Sequence, residues 1–251
     1  MSNAAVPGEY RLFGIGVGPG DPELITVKAV NALLACDVVL VPSTEASGSG
    51  AGRAETIVRA SCPEIGDRII RVPFSMADRS GVTGRRANAW QASAERAIKA
   101  FESGARQVGF ATIGDPSVYS TFSYLAAGVR SQLPQVAVRV VPGITAMQAL
   151  AAASCTPLVE GDEILTLVPL KHGTEQLAEV ASVADTCVIY KAGRHIAALR
   201  EYLNSSGREA IAGINVGLPG EQVVPVSELA EAPYFTSVLI PAHRTGTGDR
   251  L

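Results

Sequence analysis

The chain has 251 residues, 47% hydrophobic, 18% charged and 5% aromatic, with 25 glycines and 15 prolines. Its length and apolar content suit one large or two small globular domains, and the scattered Gly and Pro show no repeat period, which excludes collagen-like and low-complexity readings. A net charge of −3 leaves no electrostatic footprint for nucleic acid or an anionic membrane surface, so neither is expected as a partner.

Five short Val- and Ile-rich runs, Tyr10 to Val17, Val38 to Val41, Arg68 to Val72, Gln107 to Thr112 and Val136 to Val141, read as strands. Their near-continuous hydrophobicity predicts a parallel sheet covered on both faces. Helical periodicity fills the gaps at Glu23 to Ala35, Gly52 to Ala60, Gly84 to Ser103 and Ser117 to Ser131. In the third of these helices, Trp90, Ala94, Ala97, Ile98 and Phe101 share one apolar face. A helix from Ile144 to Ser154 then leads into strands at Ile164 to Leu170, Thr186 to Tyr190, Ala210 to Val216, Gln222 to Val226 and Thr236 to Ile240. The short connection Gly217 to Glu221 has hairpin spacing, so the second sheet is expected to be mixed. The fold class is therefore α/β with two lobes, residues 9–142 and 143–243, between flexible termini at 1–8 and 244–251. Met1-Ser2-Asn3-Ala4 reads as an expression scar.

Cys36, Cys62, Cys155 and Cys187 lie far apart and form neither a disulfide framework nor a C-x-x-C pair, which points to a reducing, cytoplasmic setting. No apolar run is long enough for a membrane span, and no secretion signal is visible. His172, His195 and His243 have no ligand spacing, so no metal is expected.

Chemistry concentrates in three loops. Gly14-Ile15-Gly16-Val17-Gly18-Pro19-Gly20-Asp21-Pro22 follows the first strand. It suggests a dinucleotide fingerprint but fails it: G-x-G-x-x-G begun at Gly14, Gly16 or Gly18 puts Pro19, Asp21 or Glu23 at the third glycine, and a carboxylate there repels a pyrophosphate. Gly114-Asp115-Pro116 follows the fourth strand, and Pro142-Gly143-Ile144-Thr145 the fifth. Loops at the carboxyl ends of parallel strands face one crevice, where open α/β sheets bind ligands. Ser47 to Gly52 lacks a G-x-S-x-G nucleophile elbow and reads as a flexible loop, a candidate lid.

These stretches, Gly16 to Thr26, Ile113 to Pro116 and Val141 to Ala146, resemble the tetrapyrrole (corrin and sirohaem) methyltransferases, and the resemblance runs from about Tyr10 to Pro241. Gly52-Arg53-Ala54-Glu55, Gly114 to Tyr124 and Val188 to Arg194 are most similar to the branch that methylates precorrin-2, or its cobalt complex, at C20. The resemblance implies the two-lobed tetrapyrrole methylase fold (class III methyltransferase), with a parallel-sheet N-terminal lobe and a mixed-sheet C-terminal lobe. It implies S-adenosyl-L-methionine as cofactor, a small-molecule tetrapyrrole substrate in cobalamin biosynthesis, and a homodimer. Carried over position by position, cofactor contacts fall on Pro19, Ile113, Gly114, Asp115, Val118, Thr145, Ala146, Lys191 and Leu218. Lys191 stands where relatives commonly carry methionine.

The chemistry asks the protein mainly to position its reactants, since the macrocycle already carries an electron-rich carbon; holding a near-attack pair contributes roughly 7 to 11 kcal/mol. Asp115 and Tyr119 are the catalytic candidates, with Glu160 a further candidate base. An acidic macrocycle needs local cations, drawn from Arg53, Arg79, Arg85, Arg86, Lys171 and Arg194, with Arg53 and Arg194 the expected substrate contacts because they adjoin the branch-like motifs. Alternatives are a sister enzyme acting at another macrocycle carbon, a protein-histidine or RNA methyltransferase, a non-catalytic tetrapyrrole-binding subunit and an NAD(P)-linked oxidoreductase.

Overall fold

The computed structural model describes residues 10–43, 50–74, 84–170, 174–233, 235–246 and 248. The chain divides into two units, one ending at Thr145 and the other beginning at Ala146.

The first unit is a five-stranded sheet of β1 (Arg11–Gly16), β2 (Val38–Ser43), β3 (Ile69–Pro73), β4 (Gln107–Thr112) and β5 (Ala137–Val141), in the order β3-β2-β4-β1-β5. Every pairing is parallel. The continuous apolar runs follow from this, because both faces are covered. On one face Ile15, Val39 and Val41 pack against Leu33 of α1 (Val27–Ala35) and Ile57 of α2 (Arg53–Ser61). On the other, Leu12, Leu40 and Phe110 meet Ile98 of α3 (Gly84–Glu102) and Leu125 of α4 (Phe122–Gln132). Since the strands are parallel, β1, β4 and β5 lie side by side and release their following loops at one edge.

Two predicted helices are shorter than their apolar pattern. The stretch expected to be helical from Glu23 begins as a 3-10 turn at Pro22–Leu24, passes through extended Ile25, and enters α1 only after Thr26, whose hydroxyl accepts from the Ala29 amide at 3.1 Å. That is an ordinary N-cap, and it sets the helix start. The stretch expected to be helical from Ser117 begins at Phe122, because the Asp115 carboxylate captures the Ser117 amide at 2.7 Å and Tyr119 takes a positive φ of 51°. Local side-chain to backbone bonding competes with the helix there.

The second unit opens with α5 (Ala146–Ala153) and holds β6 (Leu165–Pro169), α6 (Glu175–Ala181), β7 (Thr186–Tyr190), α7 (Ile196–Ser206), β8 (Ile211–Ile214), β9 (Gln222–Pro225) and β10 (Thr236–Ile240). Its sheet runs β6-β7-β10-β8-β9; β6 and β7 are parallel and the other pairs antiparallel. The mixed sheet and the β8–β9 hairpin agree with the spacing argument. Helices α6 and α7 were not anticipated, although buried Ile196, Leu199 and Leu203 have helical spacing. Arg244, placed by the sequence reading in a free tail, is instead held by Glu163 through Nε at 2.8 Å and Nη2 at 2.6 Å. The apolar pattern was blind to this anchor because it is ionic.

All four cysteines are unbridged, and burial pushes the Cys36 thiol up to about 12. No helix among the described residues is long and apolar enough to cross a membrane.

Gly14 shows how tightly β1 meets α4: a Cβ there would stand 2.5 Å from the Phe122 ring. Gly14→Ala should therefore destabilise the protein by about 1–3 kcal/mol through overpacking. In urea denaturation the double variant Gly14→Ala/Phe122→Leu should lose less than the sum of its single variants; strict additivity would contradict the contact.

Candidate functional site

The loops after β1, β4 and β5 are joined by their backbones. Gly114 donates its amide to the Gly18 carbonyl at 2.8 Å, an isolated bridge between the first two loops. The Gly143 amide donates to Oδ2 of Asp115 at 2.9 Å, which joins the third. A Cβ at Gly16 would lie 2.5 Å from the Gly114 carbonyl oxygen, and one at Gly143 2.2 Å from the same atom. Both approaches are to backbone, which no rotamer change relieves. Gly18 and Gly114 also carry φ of 85° and 68°, in the region that favours glycine.

Asp115 is the centre of this arrangement. Its side chain accepts from the Ser117 amide, the Ser117 hydroxyl and the Gly143 amide. Burial alone would raise the carboxyl, but donation from Ser117 and the Gly143 amide outweighs that and holds it below its usual range. A carboxylate so engaged suits anchoring better than proton abstraction near neutral pH. Ser117 and Gly143 were not among the expected site residues. An Asp followed two residues later by Ser is the signal of an Asx turn, and it was legible.

Of the expected cofactor contacts, Pro19, Ile113, Gly114, Asp115, Val118 and Thr145 all lie in these three loops. Pro19, Gly114, Asp115 and Thr145 are buried, Ile113 and Val118 half-buried. Tyr119 is 46% exposed on the β4 loop. Ala146 opens α5 of the second unit. Lys191 follows β7 in a left-handed conformation, with φ of 63°, and Leu218 follows β8, its amide bonded to the Asn215 carbonyl at 2.8 Å. Because β7 and β8 are both antiparallel to β10, these two residues leave the same edge of the second sheet.

Arg53 is half-buried as the first residue of α2, and burial lowers its pKa. Arg194 is exposed on the 3-10 turn Ala192–His195. Glu160 lies 3.5 Å from the Arg244 guanidinium in the second unit. Arg86 is half-buried near the start of α3. Arg79, Lys171, His172, the side chain of Arg85, Ser47 to Ser49 of the candidate lid, residues 1–8 and most of 247–251 lie outside the described residues. Among those described, no group of His, Cys, Asp and Glu could hold a metal ion.

Backbone-lined loops at the carboxyl ends of adjacent parallel strands define a ligand-binding α/β protein. The profile of the Tetrapyrrole (Corrin/Porphyrin) Methylases matches residues 11–233, and the chain belongs to that family. It is 34% identical over 243 residues to a precorrin-2 C(20)-methyltransferase from Sinorhizobium sp, covering 93% of this chain and 96% of the relative. It is 29% identical to a cobalt-precorrin-2 C(20)-methyltransferase from Salmonella typhimurium, covering 92% and 95%. A uroporphyrin-III C-methyl transferase from Thermus thermophilus, solved with S-adenyl homocysteine, shares the fold at a TM-score of 0.64 and 23% identity, covering 92% of this chain and 97% of that one. The two-lobed tetrapyrrole methylase fold is thus established for this chain, with its parallel first sheet and mixed second sheet.

The depressed Asp115 carboxyl gives a signed pH dependence. Its contribution to stability is complete above the ordinary value of 3.8 and is lost as pH falls below that toward the folded-state value. Asp115→Asn should cost about 1.5–3 kcal/mol in urea denaturation at pH 6, the range for hydrogen bonds to a charged group. The gap from wild type should narrow as pH falls below 3.8, where the unfolded chain takes up the proton before the folded one does; a gap constant from pH 6 to pH 3 would contradict the ionised anchor.

Proposed function

We propose that this chain transfers a methyl group from S-adenosylmethionine to C20 of precorrin-2, or of its cobalt complex, in cobalamin biosynthesis. The observation that carries the reading is the likeness to C20-methyltransferases over nearly the whole length of both chains, together with the three-loop cradle. Four unbridged cysteines are in keeping with a cytoplasmic enzyme, and we take it to act as a homodimer.

The cradle fits the cofactor in its chemistry. Glycines at Gly16, Gly18, Gly114 and Gly143 keep side chains out of the loops, and buried Thr145 adds a hydroxyl. Pro19, Ile113, Gly114, Asp115, Val118 and Thr145 would hold the cofactor. When bound, S-adenosylmethionine supplies an electrophilic methyl group on a sulfonium. The chain's own residues position and orient. Asp115 locks the loops at their spacing, and Tyr119 offers a phenol as a hydrogen-bond donor. Arg53 and Arg194 would meet substrate carboxylates.

Incubation with methyl-labelled S-adenosylmethionine and precorrin-2, with and without cobalt, should place the label at C20 by NMR. Label at another ring carbon would reassign the enzyme to a sister reaction, and absence of S-adenosylmethionine binding by calorimetry would refute methyl transfer. Asp115→Ala, by releasing the third loop, should weaken S-adenosylmethionine at least about tenfold, equivalent to about 1.4 kcal/mol. Unchanged affinity would remove Asp115 from the site.

A further inference from the structure

A second polar constellation lies at the β3 edge of the first sheet. Glu55, in the first turn of α2, is 1% exposed. Arg71 on β3 donates to it side-on, Nε to Oε2 at 2.6 Å and Nη2 to Oε1 at 3.1 Å. Arg59, one turn further along α2, reaches back to Oε1 at 2.8 Å. The carboxylate is buried, yet the two arginine side chains remain 41% and 46% exposed. Donation from Arg71, against the opposing cost of burial and with help from Arg59, holds the Glu55 carboxyl below its usual range.

Glu55 thus accepts from two guanidiniums at once. Arg53, two residues before Glu55, adds another. In a chain of net charge −3, this is a local concentration of cations. A buried carboxylate is weak evidence for stability, since desolvation offsets most of the Coulomb gain. Its clear geometric effect is to fix the Arg71 guanidinium in one plane.

The register gives its position. Val41 lies opposite Arg71, and Leu40 opposite both Ile70 and Phe110, so Arg71 is level with Ala111, two residues short of Ile113 where the β4 loop begins. Only β2 separates β3 from β4, so two strand spacings, about 9.6 Å, separate Arg71's strand from the strand that feeds the cradle. β3 ends at Pro73, and Pro73, Phe74 and Trp90 line a small apolar cleft on the α3–α4 face of the sheet, across it from Arg71 and α2; Trp90 stacks on Tyr124 at 3.9 Å.

We propose that Arg71, held in place by Glu55 and assisted by Arg53, anchors peripheral carboxylates of the tetrapyrrole substrate, and that Glu55 is a positioning residue. This rests on the tetrapyrrole reading above. The test uses uroporphyrin, a stable tetrapyrrole polycarboxylate, with binding read by quenching of Trp90, the one tryptophan in the chain, and S-adenosylmethionine binding read separately by calorimetry.

Arg71→Ala should weaken uroporphyrin about tenfold or more and leave S-adenosylmethionine affinity unchanged. Arg71→Lys should recover part of the loss, since it restores the charge but not the fork. Glu55→Gln should weaken uroporphyrin several-fold with every arginine still present. The wild-type advantage over Arg71→Ala should shrink in high salt. If Arg71→Ala fails to fold because buried Glu55 is left with Arg59 alone, Glu55→Gln/Arg71→Ala removes that charge and should show the same loss. Wild-type uroporphyrin affinity in a folded Arg71 variant would overturn the anchor and leave the methyltransferase reading standing. A wild-type protein that binds S-adenosylmethionine but no uroporphyrin would overturn both the anchor and the tetrapyrrole reading.

Discussion

The Asp115 carboxylate, accepting from Ser117 and from the Gly143 amide, is the bond on which the first unit's site depends. Strands β1, β4 and β5 place three loops side by side, but a parallel sheet alone does not set the distance between those loops. The Gly114–Gly18 bridge and the Asp115–Gly143 bond do. They close only because Gly16 and Gly143 lack side chains at points where a Cβ would meet the Gly114 carbonyl. Glycine is needed here for backbone packing against backbone.

This geometry redistributes the roles of the acidic residues. Asp115 stood as a candidate base on the strength of its place in a strand-end loop. Its three accepted hydrogen bonds and lowered carboxyl suit it to anchoring the loops. Glu55, at first only part of a motif, holds two arginines at the opposite end of the strand order from β5. The first sheet thus carries an anion, Asp115, in the loop after β4 and arginines gathered on a buried carboxylate at β3.

Much of the fold was legible because apolar periodicity is strong in buried parallel strands. Thr186–Tyr190, Gln107–Thr112 and Thr236–Ile240 coincide with the expected strands to the residue. Errors fell where a polar side chain overrides the pattern. Thr26 delays α1, Asp115 delays α4, and Glu163 pins Arg244. Helices α6 and α7 escaped because their segments are less apolar, although the stripe Ile196, Leu199, Leu203 was there to be counted.

By itself the sequence determined the α/β class, the parallel first sheet, the three strand-end loops and the resemblance to tetrapyrrole methyltransferases, because these depend on local pattern and motif spacing. Only the tertiary structure decided which loop residues bond to one another and which charges are shared. Asp115 and Gly143 are 28 residues apart and Arg71 and Glu55 are 16 apart, and no local pattern links such pairs. Strand order brings them together, and strand order is chosen by packing across the whole sheet.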